Sequence, residues 1–226
     1  MNGILIFLFL ILASALPGII VFIWFRAKKS AVALPWFLLS ITAGIVSLLI
    51  AAFIQRFFSP KQDGLGDLFF GVFVRIALVE ELSRLVTLIP LSTAADHTHR
   101  TGVSFGAALG LVSGLGFAIL ENAFHGIANL NITLLRAFTA APLHGACGIR
   151  VGIAVFIFTR NKGKAFFYFI SAVLIHGAYN LIIVSPALPS ALAIIIALSA
   201  LLASLPLLKT ADMDHENSFS PTHFRP

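Results

Sequence analysis

Long apolar runs, separated by short polar stretches, follow one another along nearly the whole chain. Each run is about 20 residues long, which is the length that an α-helix needs to cross a hydrocarbon core of roughly 30 Å. The pattern therefore predicts an all-α fold, a polytopic transmembrane helix bundle of about seven spans. The predicted spans are 3–25, 34–57, 68–90, 102–127, 133–159, 165–184 and 190–208.

The spans leave no room for a separate soluble domain. We predict a single integral membrane domain over residues 1–209, with a motif-bearing core at 67–184, and a polar, disordered tail over 210–226. The composition agrees with this division, because 59% of the 226 residues are hydrophobic and 11% are charged. Soluble domains carry about a quarter charged residues.

The cations of the chain gather at the ends of the spans. The formal net charge of +6 invites a nucleic-acid interpretation, but Lys and Arg at span ends set the orientation of a membrane protein instead. The loops 26–30 and 160–164 hold most of the loop charge, and seven spans place both on one face. The positive-inside rule predicts that the N-terminus is outside and the C-terminus in the cytoplasm, with the lipid bilayer and no nucleic acid as partner.

Glycines recur at every fourth position of the predicted fourth span. They are Gly102, Gly106, Gly110 and Gly114. Glycines at this spacing line one face of a helix and let a neighbouring backbone approach closely. The repeat predicts that this helix lies at the centre of the bundle.

Ionisable side chains occur inside the apolar spans, where they are costly and normally face a partner or a cavity. The third to sixth spans carry Arg75, Glu80, Glu81, Arg84, Glu121, His125, Arg136, His144, Arg150 and His176, with Asn180 four residues after the last histidine. Ion pairs that only hold the helices together are the structural alternative. Three glutamates, two mid-span histidines and an asparagine exceed that need and favour a functional site.

The residues leave the chemistry of this site open. A buried glutamate can act as a general base towards water, while two histidines and a carboxylate can hold Zn²⁺ and leave a position for water. The same groups would suit a proton-coupled transporter. The depth of each residue, counted at about 1.5 Å per residue, puts the two histidines near the midplane and Glu121 in the outer half.

Four ordered motifs carry a resemblance to a known family. They are Val79-Glu80-Glu81-Leu82-Ser83-Arg84, Gly116-Phe117-Ala118-Ile119-Leu120-Glu121-Asn122, Pro142-Leu143-His144 and His176-Gly177-Ala178-Tyr179-Asn180. The stretch from Phe73 to Ile183 resembles the PrsW family of intramembrane proteases, which is distantly related to the CAAX prenyl proteases. The chain has Arg84 where the family motif usually ends in lysine.

The resemblance implies an intramembrane endopeptidase of the bacterial cytoplasmic membrane. Its substrate would be a membrane protein with a transmembrane segment, such as an anti-sigma-factor-like protein cleaved at an extracytoplasmic site. The implied catalytic set is Glu80, Glu81, Glu121, His144, His176 and Asn180, supported by Arg84 and Asn122. If a metal takes part, the expected ligands are Glu121, His144 and His176 and the expected ion is Zn²⁺. A proton-coupled transporter is the alternative function, and a non-catalytic scaffold is disfavoured because the motif residues are intact.

Overall fold

The computed structural model describes residues 3–28, 32–58, 64–98, 100, 102–126, 136, 138–185, 187–189 and 191–217. Within these ranges the chain is helical and contains no strand, which confirms the all-α prediction. The elements are α1 (Gly3–Ala27), α2 (Leu34–Gln55), α3 (Leu65–Phe69), a π-helix π1 (Phe70–Leu78), α4 (Val79–His97), α5 (Val103–Gly126), α6 (Ala140–Ile157), α7 (Lys162–Val184) and α8 (Ala191–Asn217).

Six helices in the described ranges are long and apolar enough to cross a membrane. They are Ile4–Ala27, Leu34–Gln55, Val103–Gly126, Ala140–Ile157, Lys162–Val184 and Ala191–Leu208. The remaining predicted span, 68–90, lies in the uninterrupted helical run formed by α3, π1 and α4. This run is long enough, but it carries Arg75, Glu80, Glu81 and Arg84 close together, and these charges lower its hydropathy.

Two predicted boundaries differ from the structure. The fifth span was expected from residue 133, whereas α6 begins at Ala140, and residues 127–135 and 137 lie outside the described ranges. The polar tail was expected from residue 210, whereas α8 continues to Asn217. Residues 218–226 of the predicted tail lie outside the described ranges.

The pair α5 and α6 forms the centre of the bundle. A Cβ atom added at Gly110 would overlap the carbonyl of Gly148, and one added at Gly114 would overlap the carbonyl of His144. The two backbones are therefore in direct contact, as the glycine repeat predicts. Gly102 does not share this role, because nothing lies within 4 Å of the position of its Cβ.

The outer helices present apolar side chains to the surroundings. Ile20 of α1, Leu49 of α2 and Leu202 of α8 are all more than half exposed. Such faces are stable only when lipid covers them. The arrangement is that of a membrane bundle, in which small residues mediate contact between the central helices and larger apolar side chains face outward.

The π-helix π1 runs directly into the α4 turn that carries Glu80 and Glu81. Phe73 of π1 packs against Gly177 of α7, where an added Cβ would overlap the phenyl ring. Since Gly177 follows His176 in the chain, this contact fixes how α7 approaches the paired glutamates. Short π-helical stretches are frequent at functional sites.

Candidate active site

The predicted site residues meet between the four helices α4 to α7. Glu80 and Glu81 lie in the first turn of α4, Glu121 lies near the end of α5, His144 lies in the second turn of α6 and His176 lies in α7. The side chains of Glu80, Glu81, His144 and His176 are at least nine-tenths buried.

Both carboxylate oxygens of Glu81 are engaged. Oε1 accepts a hydrogen bond from Nδ1 of His176 at 2.7 Å, and Oε2 forms an ion pair with Nη1 of Arg84. Glu81 and Arg84 are both fully buried, so each compensates the charge of the other away from water. Because the carboxylate binds Nδ1–H, it fixes the tautomer and orientation of the imidazole and leaves Nε2 of His176 as the nitrogen with a lone pair.

Glu80 has one oxygen engaged and one open. Oε1 accepts a hydrogen bond of 3.1 Å from Nε2 of Gln55, the last residue of α2. Oε2 is buried and has no hydrogen-bond partner, and it lies 3.5 Å from Nε2 of His176. A buried oxygen in this state is costly unless a further group binds it.

His144 is held in a similar way by a different carboxylate. Its Nε2 lies 2.7 Å from Oε2 of Glu121, and Nη2 of Arg84 lies 3.4 Å from its Nδ1. The ring also packs against Phe117, with ring centroids 4.8 Å apart, and lies edge-on to the ring of His176 at 5.0 Å. Each histidine therefore has a glutamate hydrogen-bonded to one nitrogen.

Glu121 lies at the accessible end of the cluster. Its side chain is 18% exposed, and its Oε1 is 2.7 Å from Nη2 of Arg136. Nε of Arg136 also donates a 3.0 Å hydrogen bond to Oδ1 of Asn122. His125, one turn beyond Glu121, is more than half exposed and lies 3.8 Å from the same carboxylate. The site thus opens at the end of α5 and the start of α6.

The depth expected for His144 is corrected by the start of α6. Because α6 begins at Ala140 and not at residue 133, His144 lies about 6 Å from the start of its helix, which is less than half the distance expected. His144 and Glu121 therefore both lie towards the same end of the bundle, and their side chains are in contact. The midplane position expected for His144 came from a helix start placed too early.

Three of these side chains are arranged to hold a metal ion. One ligand atom each from Glu80, His144 and His176 lie within 4.8 Å of one another, and all three residues are buried. Two histidines and a glutamate are the protein ligands of several zinc hydrolases. The unpartnered Oε2 of Glu80 and the free Nε2 of His176 also fit a cation between them. The structure groups Glu80 with the two expected histidines. Glu121, which was expected as the third ligand, is instead the hydrogen-bond partner of Nε2 of His144.

Asn180 and Cys147 lie on α7 and α6, the helices that carry the two histidines. Asn180 is half-buried, and the residue that orients the imidazole of His176 through Nδ1 is Glu81. Cys147 is buried and its Sγ lies 3.5 Å from the carbonyl of Ala172, which agrees with a structural role.

Two residues in contact with the site were not predicted as part of it. The sequence does not mark Gln55, because a polar residue at the end of an apolar run is typical of a helix terminus. Arg136 was recognised as an intramembrane charge, but nothing in its spacing connects it to Glu121. Its position before α6 is a consequence of the fold and not of a local motif.

A helical membrane bundle with a buried two-histidine, one-glutamate set defines a membrane-embedded hydrolase site of the metal-binding kind. The sequence profile of the PrsW family of intramembrane metalloproteases matches residues 29–206. The chain belongs to this family and is an intramembrane protease that acts on membrane proteins within a lipid bilayer. Neither the curated proteins nor the solved structures include a match to the chain.

Proposed function

We propose that the protein is an endopeptidase that hydrolyses a peptide bond next to or within a transmembrane segment of its substrate. The observation that carries this proposal is the open, buried Oε2 of Glu80 facing Nε2 of His176 within reach of His144. A transporter relay would not require three ligand atoms to converge in this way.

The residues that would hold a metal ion are Glu80, His144 and His176, and Zn²⁺ is the ion that suits two imidazoles and a carboxylate. A bound ion of this kind supplies a Lewis acid for the scissile carbonyl and an activated water. Glu81 and Glu121 hold the two imidazoles in the orientation that directs one nitrogen of each towards the common space. Arg84 pairs with Glu81 and holds its carboxylate in place.

Of the paired glutamates, Glu80 is the one with an oxygen available for the reaction, either as a metal ligand or as the base towards the attacking water. Both oxygens of Glu81 are engaged by Arg84 and His176, whereas Oε2 of Glu80 is free to accept a proton or a cation. Asn180 follows one turn after His176 on α7, and we assign it a donor role towards the oxyanion that forms at the scissile carbonyl.

The position of the opening supports cleavage on the outer side of the membrane. Glu121 and Arg136 lie where α5 ends and α6 begins, which the loop charges predict to be the extracytoplasmic face. A suitable substrate is a single-span protein of the bacterial cytoplasmic membrane, such as an anti-sigma-factor-like protein. The cut would then fall near the outer end of its transmembrane segment.

The test compares membrane-protein fragments from cells that express the wild type or the Glu80→Gln, His144→Ala or His176→Ala variant. New N-termini at the outer ends of transmembrane segments are expected in the wild type alone. Thr42→Val, a lipid-exposed change on α2 whose hydroxyl bonds only its own helix, serves as the control and should retain every cleavage. Equal cleavage by the three site variants would refute the proposal.

Metal analysis of the purified proteins separates the two roles of Glu80. The wild type should contain about one Zn²⁺ per chain and lose activity on chelation. Inactive Glu80→Gln protein that keeps its metal identifies Glu80 as the base, and inactive protein without metal identifies it as a ligand.

A further inference from the structure

We infer that Gln55 is a positioning residue of the active site, which aims the open oxygen of Glu80 at the reacting centre. The inference rests on the proposed role of Glu80. It extends the site to α2, a helix that carries none of the four sequence motifs and was not expected to contribute.

The geometry of the Gln55 side chain suits this role. Nε2 of Gln55 donates to Oε1 of Glu80 at 3.1 Å, while Oε2 of the same carboxylate remains without a partner. A carboxylate on a helix can rotate about its side-chain bonds, so one fixed oxygen determines where the other points. An amide suits the position because it donates without adding charge beside His176.

The packing of α2 explains why Gln55 can hold Glu80 firmly. A Cβ at Gly44 would overlap the carbonyl of Ser113, and one at Gly116 would overlap the carbonyl of Ile41, so α2 lies directly against the backbone of α5. Further along α2, Leu48 and Ala51 form a buried cluster with Val79, the residue before Glu80, and with Phe117. The last turn of α2 is therefore fixed relative to α4.

Metal binding provides a test that does not depend on knowing the substrate. Co²⁺ alone is titrated into the metal-free, detergent-solubilised full chain, and binding is followed by its visible absorption. Partners that orient metal ligands typically change affinity by about 10–100-fold when removed. Gln55→Met, which keeps the side-chain length but has no donor, should weaken Co²⁺ binding by about that factor.

Two further variants keep the test decisive. Gln55→Asn retains an amide but is one methylene too short to reach Glu80, so it should also bind Co²⁺ more weakly even if the methionine variant folds poorly. Thr42→Val removes a side-chain hydrogen bond from the same helix without contact with the site, and it should bind Co²⁺ as the wild type does.

Kinetics on the best-cleaved substrate peptide give a second readout. Because Gln55 acts through its hydrogen bond to Glu80, Gln55→Met should lower kcat by about 10–100-fold and leave KM within about twofold of the wild type. A general loss of folding would instead reduce the fraction of active protein. The apparent decrease in kcat would then disappear when kcat is calculated per folded protein.

The outcomes separate this inference from the proposed function. Co²⁺ affinity and kcat of Gln55→Met equal to the wild type, while Glu80→Gln is defective, would overturn the role of Gln55 alone. Wild-type Co²⁺ binding and cleavage by Glu80→Gln would overturn the role of Glu80, and the inference about Gln55 with it.

Discussion

The three glutamates of the site differ in how many of their oxygens are already bound. Glu81 is saturated by Arg84 and His176, Glu121 is bound by Arg136 and His144, and Glu80 keeps one oxygen open. A carboxylate whose two oxygens are both held by neighbours is placed to orient them, whereas a carboxylate with an open oxygen has a site ready for a proton or a cation. This difference separates the orienting carboxylates from the reacting one.

The buried pair of Glu81 and Arg84 predicts a measurable coupling. Glu81→Ala leaves the fully buried guanidinium without its anion, so the free energy of unfolding should fall by about 3–5 kcal/mol. The double variant Glu81→Leu/Arg84→Met replaces the pair by apolar groups and should regain most of this stability while remaining inactive. Unfolding by detergent titration measures both, and a double variant less stable than Glu81→Ala would contradict the pairing.

The spacing along one helix predicts some of these contacts but not the others. Glu81 and Arg84 are three residues apart on α4, and that separation alone places them on one helix face. His176 lies 95 residues from Glu81, and Gln55 lies 25 residues from Glu80. Contacts at such distances depend on helix packing, which residue spacing does not define, so the motifs could identify the participants without identifying their partners.

At the scale of the helices, the seam between α5 and α6 determines where His144 lies. The backbones touch at Gly110 and at Gly114, and the carbonyl against Gly114 is that of His144 itself. Any side chain at these positions must push α6 away and move the imidazole. The four-residue glycine repeat made this contact predictable, because small residues at that spacing have few other roles in a membrane helix.

Alanine at Gly110 should therefore impair both folding and catalysis. The added methyl group meets a backbone carbonyl that cannot rotate away, and overpacking of this kind costs about 1–3 kcal/mol. Gly102→Ala provides the matched control, since its methyl group enters open space. Thermal unfolding and cleavage should distinguish the two variants, and an equal effect of both would show that the seam is not tightly packed.

The contact between π1 and α7 gives a second prediction at this scale. Gly177→Ala should reduce cleavage, because its methyl group would meet the ring of Phe73 and displace His176. Phe73→Leu in the same chain should restore part of the activity by removing the opposing atoms. Activity relative to folded protein is the measurement, and a double variant no better than Gly177→Ala would exclude this clash as the cause.

At the scale of the whole molecule, the number of crossings depends on the helical run from α3 to α4. Its charges make it the least apolar of the predicted spans, yet they are the residues that form the site. The length of each apolar run predicted the other spans, because this length depends only on consecutive residues. It cannot by itself identify a span whose charged side chains find partners within the folded bundle.

Labelling from each side of the membrane tests the topology. With Cys147→Ser as background, Gly64→Cys and Lys162→Cys should react from opposite sides, because the run from α3 to α4, then α5 and α6, make three crossings between them. The loop charges predict that Gly64 is outside and Lys162 inside. Reaction from the same side would mean that the run from α3 to α4 does not cross.

The pairing of Glu81 with His176 also constrains how the chain enters the membrane during synthesis. A charged residue at a helix centre costs roughly 2.5–3.5 kcal/mol on insertion, and α4 emerges from the ribosome with Glu80, Glu81 and Arg84 together. His176, the α7 residue that pairs with Glu81, is 95 residues further along the chain and has not yet been synthesised. We expect α4 to remain at the translocon until α6 and α7 arrive, so a chain truncated after α5 should fail to integrate its third span.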